Sequence, residues 1–317
     1  MKIGYFLSCE EWGPRELVEL AVKSQDAGFD GLWISDHFHP WNDEQGHSPF
    51  VWSVIGAIAR ATPGVRLTTA VTCPTLRIHP AIIAQAAATS AVLLEGNFSL
   101  GVGSGEALNE HILGDPWPSV GVRQEMLEEA VRVIRQLHQG DEISHHGKHY
   151  EVQEARIYTK PSEPVPIYVS GFGPQGAELA GRIGDGYVLA MPDADLVKTF
   201  RDSGGGDKPV QAGNKVNWDR DADEALTTAH RLWGNEGLPG QSSQILPRPK
   251  DFAALTTLVP KEAVGESVAC GPDADTHISQ VRQYVDAGVD EVYVQQIGPD
   301  LDGFFQCWQN DVLPQFR

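Results

Sequence analysis

The sequence predicts an α/β fold, a closed (β/α)8 barrel carrying inserted loops. Three observations predict it. Short apolar runs of strand character alternate with amphipathic helical stretches eight times along the chain. No GxGxxG follows the first run, which disfavours an open, doubly wound dinucleotide fold. Polar, chemistry-bearing residues also collect just where the apolar runs end, as they do at the carboxyl ends of barrel strands. A length of 317 residues suits one such barrel, and no shift in composition divides it, so 1–317 reads as a single domain.

The elements follow in order. KIGYFL (2–7) is the first strand. Pro14 stands where a helix can begin, because its missing N–H is one a helix start leaves free anyway. Leu17, Leu20, Ala21 and Ser24 then share one face of a helix over 15–26, which Gly28 stops. Strands are expected at 31–35, 65–72, 98–102, 167–170, 186–190, 210–216 and 291–296. Helices are expected at 52–61, 106–112, 122–138, 174–182, 195–201, 222–233, 273–287 and 302–313. The run AIIAQAAATSAVLL after Pro80 is helical and apolar on most faces, which predicts deep burial. Two stretches break the rhythm. Residues 145–159 read as a β-excursion around a His146-Gly147-Lys148 turn, and 234–260, rich in Gly, Pro, Ser and Gln, reads as a long loop or lid.

Charge and composition remove several classes of function. A net charge of −19 opposes non-specific binding to nucleic acid or to an anionic membrane. There is no basic-then-apolar leader and no run of 18 apolar residues, so neither secretion nor membrane spanning is expected. Cys9, Cys73, Cys270 and Cys307 lack CxxC or ligand-like spacing, which disfavours zinc and disulfides and suits a reducing cytoplasm. His145, His146 and His149 cluster on the β-excursion, where a solvated hairpin is a simpler reading than a metal site. Trp52, Trp233 and Trp308 read as packing residues on their helices.

The chemistry concentrates in GLWISDHFHPW (31–41), an apolar strand that breaks into Asp36, His37, His39 and Trp41. Imidazole titrates near neutral pH and can take a proton from an alcohol, and a neighbouring carboxylate can fix its tautomer. The competing reading is a strand-end histidine that merely satisfies its own hydrogen bonds. The other strands add Ser8, Glu10 and Glu11, then Thr72 and Cys73, then Gly103-Ser104-Gly105-Glu106 with Asn109 one turn later. Glu106 is a candidate acid facing a candidate base, or else a carboxylate favoured at a helix start by the dipole. Gly171-Phe172-Gly173-Pro174 opens a helix whose free N–H groups could hold a phosphate, or is simply a turn into that helix.

Taken together, SDHFHPW (35–41), PTLRIHPAIIAQAAAT (74–89), GVGSGEALNE (101–110), PIYVSGFGP (166–174) and AGRIGDGY (180–187) resemble the luciferase-like flavin/deazaflavin oxidoreductases. Within that family they resemble the branch containing coenzyme F420-dependent glucose-6-phosphate dehydrogenase. The resemblance implies a (β/α)8 barrel with a deazaflavin across the strand ends. It implies His37 as the base for a substrate hydroxyl, Trp41 beside the imidazole, Glu106 as acid or electrostatic partner, and Glu10 in the substrate pocket. Asp36 is expected to contact the cofactor, and Ala70-Val71 to form a non-proline cis peptide against its ring. Thr72, Cys73, Asn109, Gly171, Phe172 and Gly173 are expected to hold the ring and the phosphate-bearing tail. Relatives of this kind are commonly homodimers. The family also contains FMN-dependent monooxygenases, which is the alternative cofactor and chemistry.

One departure bears on the substrate. Where the sugar-phosphate branch places a lysine after its sixth strand, this chain reads Ala190-Met191-Pro192-Asp193, and near 263–266 a second lysine is again missing. Lys198, Lys208, Lys215, Lys250 and Lys261 do not fall in register. An acid there would repel a phosphate by ~4 kcal/mol per charge pair at 4 Å and an effective dielectric of 20. The expectation is an F420-dependent dehydrogenase or reductase for an alcohol or carbonyl substrate other than glucose-6-phosphate.

Overall fold

The computed structural model describes residues 1–317 and contains eleven strands. In chain order they are β1 (Lys2–Leu7), β2 (Leu32–Ile34), β3 (Leu67–Thr69), β4 (Phe98–Val102), β5 (Ile143–His146), β6 (Glu151–Ala155), β7 (Ile167–Ser170), β8 (Gly186–Leu189), β9 (Val210–Asn217), β10 (Ala269–Cys270) and β11 (Glu291–Gln296). Eight of them run parallel and close on themselves: β1, β2, β3, β4, β7, β8, β9 and β11, with β11 returning to β1. This is the expected (β/α)8 barrel. β10 pairs with the end of β9 outside the ring, and β5 and β6 form an antiparallel hairpin.

The helices form where the apolar spacing put them, at Pro14–Asp26, Val51–Ala61, Pro80–Leu93, Val120–Gln139, Pro174–Ile183, Ala222–Trp233 and Ala274–Asp286. Gly28 does end the first of these, at φ +88°, a backbone conformation that L side chains avoid. The barrel's interior is closed below its mouth. Trp33 and Tyr293 stack at 4.7 Å and 4°, with Phe6, Tyr168 and Val188 around them. Gly4 makes room, since a Cβ there would run into the Tyr293 ring. Deeper still, Glu291 is paired with Lys2 and Arg66. Ligand chemistry is therefore confined to the carboxyl ends of the strands.

Three expectations need correction. The segment 234–260 is not an irregular loop, because Ser242–Ile245 and Pro249–Thr256 are helical and Phe252 is completely buried. Pro249 reads as a breaker by composition but sits at the first helical position, where proline is favoured. The excursion expected at 145–159 is the hairpin from Ile143 to Ala155, held to helix Val120–Gln139 by Glu129. That carboxylate accepts from the backbone N–H groups of Lys148, His149 and Tyr150. Helix Pro80–Leu93 buries Ile83, Ala84, Ala87, Ala88 and Ala91 but leaves Ile82 57% and Leu93 51% exposed. No helix is long and apolar enough to cross a membrane.

Candidate active site

His37 follows β2 and is mostly buried. Its Nδ1 lies 3.1 Å from the His39 carbonyl oxygen. A carbonyl only accepts, so Nδ1 carries the hydrogen and the neutral ring keeps its lone pair on Nε2. Nε2 stands 3.4 Å from Glu10 Oε1 and 3.5 Å from Glu106 Oε1. A proton arriving at Nε2 is thus received between two carboxylates. The Trp41 ring lies 5.1 Å from the imidazole, tilted by 57°, and Phe252 meets Trp41 edge-on at 5.2 Å.

The two carboxylates are held differently. Glu10 is buried at the end of β1, and its Oε2 accepts from Ser8 Oγ at 2.8 Å and Ser35 Oγ at 2.7 Å. Glu106 is the more open, its side chain 24% exposed against 3% for Glu10. It occupies the cap position of the short helix Ala107–Glu110 but makes no side-chain cap bond. It turns instead toward His37 and accepts from Asn109 Nδ2. The helix-dipole reading of Glu106 therefore does not explain its orientation.

Asp36 is not the partner of His37. Neighbouring residues leaving a strand point to opposite sides, and both Asp36 oxygens are engaged elsewhere. Oδ1 accepts from Arg77 Nη2 at 2.9 Å, and Oδ2 from Thr72 Oγ1 at 2.8 Å. The carboxylate expected beside the imidazole is supplied by β1 and β4, not by the adjacent residue. Asn109, expected to hold the cofactor, is buried, and its Oδ1 accepts from the backbone N–H of Phe38 at 2.8 Å and His39 at 3.0 Å. It ties the His37 loop to Glu106.

A second wall lies beyond β3, β4 and β7. The Ala70-Val71 peptide is cis, as the resemblance implied. Val71 occupies space that side chains at Gly101 and Gly103 would fill. Cys73 is buried with its Sγ 2.8 Å from Thr75 Oγ1, and burial pushes its thiol well above the usual range. Gly171 accepts from the Tyr187 hydroxyl at 2.6 Å, and a Cβ on it would meet the Gly176 backbone. Phe172 is exposed. Gly173 precedes helix Pro174–Ile183 and, having no side chain, leaves the N–H groups of Gln175 and Gly176 without a side-chain cap. Buried Arg123, near the start of helix Val120–Gln139, stacks on Trp117 at 4.4 Å and donates to the Pro118 carbonyl at 2.7 Å and to Gln244 Oε1 at 2.9 Å, while its Nε–H has no partner.

Sequence reasoning named Glu11 at the end of the first strand but not the polar group it gathers over β1, β9 and β11. Glu11 Oε1 accepts from Trp233 Nε1 at 2.6 Å and Gln295 Nε2 at 2.7 Å, and Oε2 from the Gly298 N–H at 3.3 Å. Burial, set against these bonds, pushes the Glu11 carboxyl up to about 7. Lys215 pairs with Glu236 at 3.1 Å and lies 4.5 Å over the Trp233 ring. Trp233 had a helical packing position and no other signal in the sequence. Its indole N–H meets Glu11 only because helix Ala222–Trp233 ends over β1.

The mouth of a (β/α)8 barrel thus holds a histidine between two carboxylates. A sequence model of the family described as luciferase-like monooxygenase matches residues 1–291, and the chain belongs to that family. Among its relatives, an F420-dependent glucose-6-phosphate dehydrogenase from Amycolatopsis mediterranei is 36% identical over 100% of this chain and 99% of its own length. A protein of the same name from Intrasporangium calvum is 35% identical with the same coverage. An F420-dependent secondary alcohol dehydrogenase, solved with an F420-acetone adduct, superimposes with a TM-score of 0.93 at 33% identity, covering 100% of this chain and 99% of that one. The coenzyme F420-dependent tetrahydromethanopterin reductase from Methanopyrus kandleri shares the fold, at 20% identity and a TM-score of 0.80.

Proposed function

We propose that this chain is a coenzyme F420-dependent dehydrogenase acting on a CH–OH group of a neutral alcohol, with residues 1–317 as one catalytic domain. The observation that carries the reading is His37 Nε2 held between Glu10 and Glu106 at the mouth of the barrel. The residues present fit the cofactor. An apolar ledge at Ala70 and Val71 suits a planar ring, while the start of helix Pro174–Ile183 after Gly171–Gly173, which no side chain caps, suits an anionic tail. When bound, the deazaflavin supplies a ring carbon that accepts or donates hydride.

The chain's own residues handle the proton and the pose. His37 Nε2 takes the hydroxyl proton, and its Nδ1–H bond to the His39 carbonyl keeps the correct tautomer. Glu10 and Glu106 stabilise the imidazolium, and the Trp41 face beside it adds ~0.5–2 kcal/mol. Glu106, the more open carboxylate, is the acid or electrostatic partner on the cofactor side. Phe252 backs Trp41, and Trp233 lies against Glu11.

A phosphorylated substrate fits this mouth poorly. Asp193, standing where the sugar-phosphate relatives are expected to carry lysine, caps helix Ala194–Phe200 by accepting from the Leu196 N–H. Lys215 is already paired with Glu236, and Lys198 with Asp202. Glu10 and Glu106 add negative charge on the same side. We therefore assign a substrate other than glucose-6-phosphate. The same reading places the enzyme in the cytoplasm as a homodimer; four free cysteines and the exposed apolar side chains of Pro80–Leu93 support it.

Parallel fluorescence titrations with F420 and FMN test the cofactor, and preference for FMN would overturn this reading in favour of a monooxygenase. Turnover with F420 tests the substrate: a neutral secondary alcohol should reduce the deazaflavin, and efficient reduction by glucose-6-phosphate would refute the substrate assignment.

A further inference from the structure

Arg77 belongs to the PTLR stretch after β3, and its guanidinium is enclosed between two carboxylates. Its Nη2 lies 2.9 Å from Asp36 Oδ1 and its Nε 3.5 Å from Glu110 Oε1, while its own backbone N–H donates to Glu110 Oε2 at 2.7 Å. All three side chains are buried, Arg77 at 7%, Asp36 at 1% and Glu110 at 0% exposure. Arg77 Nε and Glu110 Oε1 face each other as an ion pair without a hydrogen bond, so removing either charge leaves the other buried and uncompensated.

The group connects both halves of the site. Glu110 follows Asn109 on a single helical turn, and Asn109 carries Glu106 and the backbone of the His37 loop. Asp36 precedes His37 directly and is braced on its other oxygen by Thr72, beside the Ala70-Val71 ledge. We infer that Arg77 is a positioning residue: with Glu110 it holds the Asp36 carboxylate against Thr72 on the cofactor side and keeps it from competing with Glu10 and Glu106 for the His37 proton.

The choice of arginine follows from the geometry. The guanidinium donates to Asp36 from Nη2 while its Nε side lies against Glu110, a planar two-sided contact that a lysine ammonium does not reproduce. Glu110 is the soft member of the set. Burial pushes its carboxyl up to about 7, against the lowering effect of Arg77, and Glu106, Asp36, Cys73 and Tyr150 are the other titratable groups facing it. Loss of Arg77 therefore alters both the pose of Asp36 and the charge state behind it.

The inference rests on the F420 reading, and wild-type F420 binding separates the two: if the wild type does not bind F420, that reading fails first. Given wild-type binding, F420 affinity is measured for Asp36→Asn, Arg77→Met and the double variant, together with the pH profile of kcat/KM for Arg77→Met and Arg77→Lys. The expected results are an F420 affinity at least tenfold weaker in Arg77→Met and partial recovery in Arg77→Lys. The double variant should be no weaker than the single Asp36→Asn change, and the Arg77→Met pH profile should be displaced. If Arg77→Met does not fold, the same cycle is run with Arg77→Lys, where at least threefold coupling to Asp36→Asn is expected. Independent, additive effects of positions 36 and 77 on F420 affinity, or an undisplaced pH profile in a folded Arg77 variant, would overturn the inference.

Discussion

His37 owes its assigned role to groups distant in sequence. Its tautomer is set by the His39 carbonyl, and its proton-accepting nitrogen faces Glu10 and Glu106. Replacing it with alanine should lower turnover ~10²–10⁴-fold, the range for losing a general base, while F420 titration stays near wild type; retained turnover would remove His37 from the mechanism. Glu11 supports a second prediction. Its folded pKa of about 7 lies above the ~4.3 of an unfolded glutamate. Between those values the folded protein binds more protons than the unfolded one, so Glu11 contributes stability below ~4.3 that is lost as pH rises through about 7. Glu11→Gln should therefore gain in melting temperature relative to wild type across that window and show a constant difference above pH ~8. A difference independent of pH would contradict the burial of this carboxyl.

Among the elements, the short helix Ala107–Glu110 does more than its length suggests. Asn109 joins Glu106 to the backbone of Phe38 and His39, and Glu110 joins Arg77. Asn109→Ala should cost ~1–3 kcal/mol of stability, as expected for buried N–H groups left without an acceptor. It should also lower kcat more than it raises KM, because it loosens His37 and Glu106 together; a variant losing stability with kcat unchanged would make the turn merely structural. The β5–β6 hairpin shows the same principle away from the site. Glu129 is the acceptor for three consecutive backbone N–H groups and for His145, and Gly147 is needed because a Cβ there would collide with that carboxylate. Glu129→Ala should expose the hairpin to limited proteolysis between 143 and 155 under conditions where the wild type resists.

For the whole molecule, closure of β11 onto β1 brings Gln295 and Gly298 from the end of the chain to Glu11 near its start. The homodimer is tested at this scale. Light scattering should give twice the chain's 34.5 kDa, and Ile82→Glu with Leu93→Glu should shift it toward the monomer with F420 binding retained; a monomeric wild type would exclude the dimer. Most of the barrel was legible because its signals are local. Apolar spacing, Pro14, Pro80 and Pro174 at helix starts, and Gly28 and Gly140 at helix ends each act within a few residues. The segment 234–260 was not, because its helices draw on the burial of Phe252 against Trp41, a contact no local window contains.

By itself the sequence determined the barrel, the location of polar residues at its strand ends and the family; the resemblance grouped His37, Trp41, Glu10 and Glu106, and the structure brings their side chains together. The tertiary structure decided which carboxylates face His37. Asp36, adjacent in sequence, is turned away toward Arg77 and Thr72, while Glu10 and Glu106 arrive from other strands. The physical reason is that strand geometry sends neighbouring side chains to opposite sides, whereas barrel closure brings distant strand ends within a few ångströms. Proximity along the chain thus misleads about ion pairing at such a mouth.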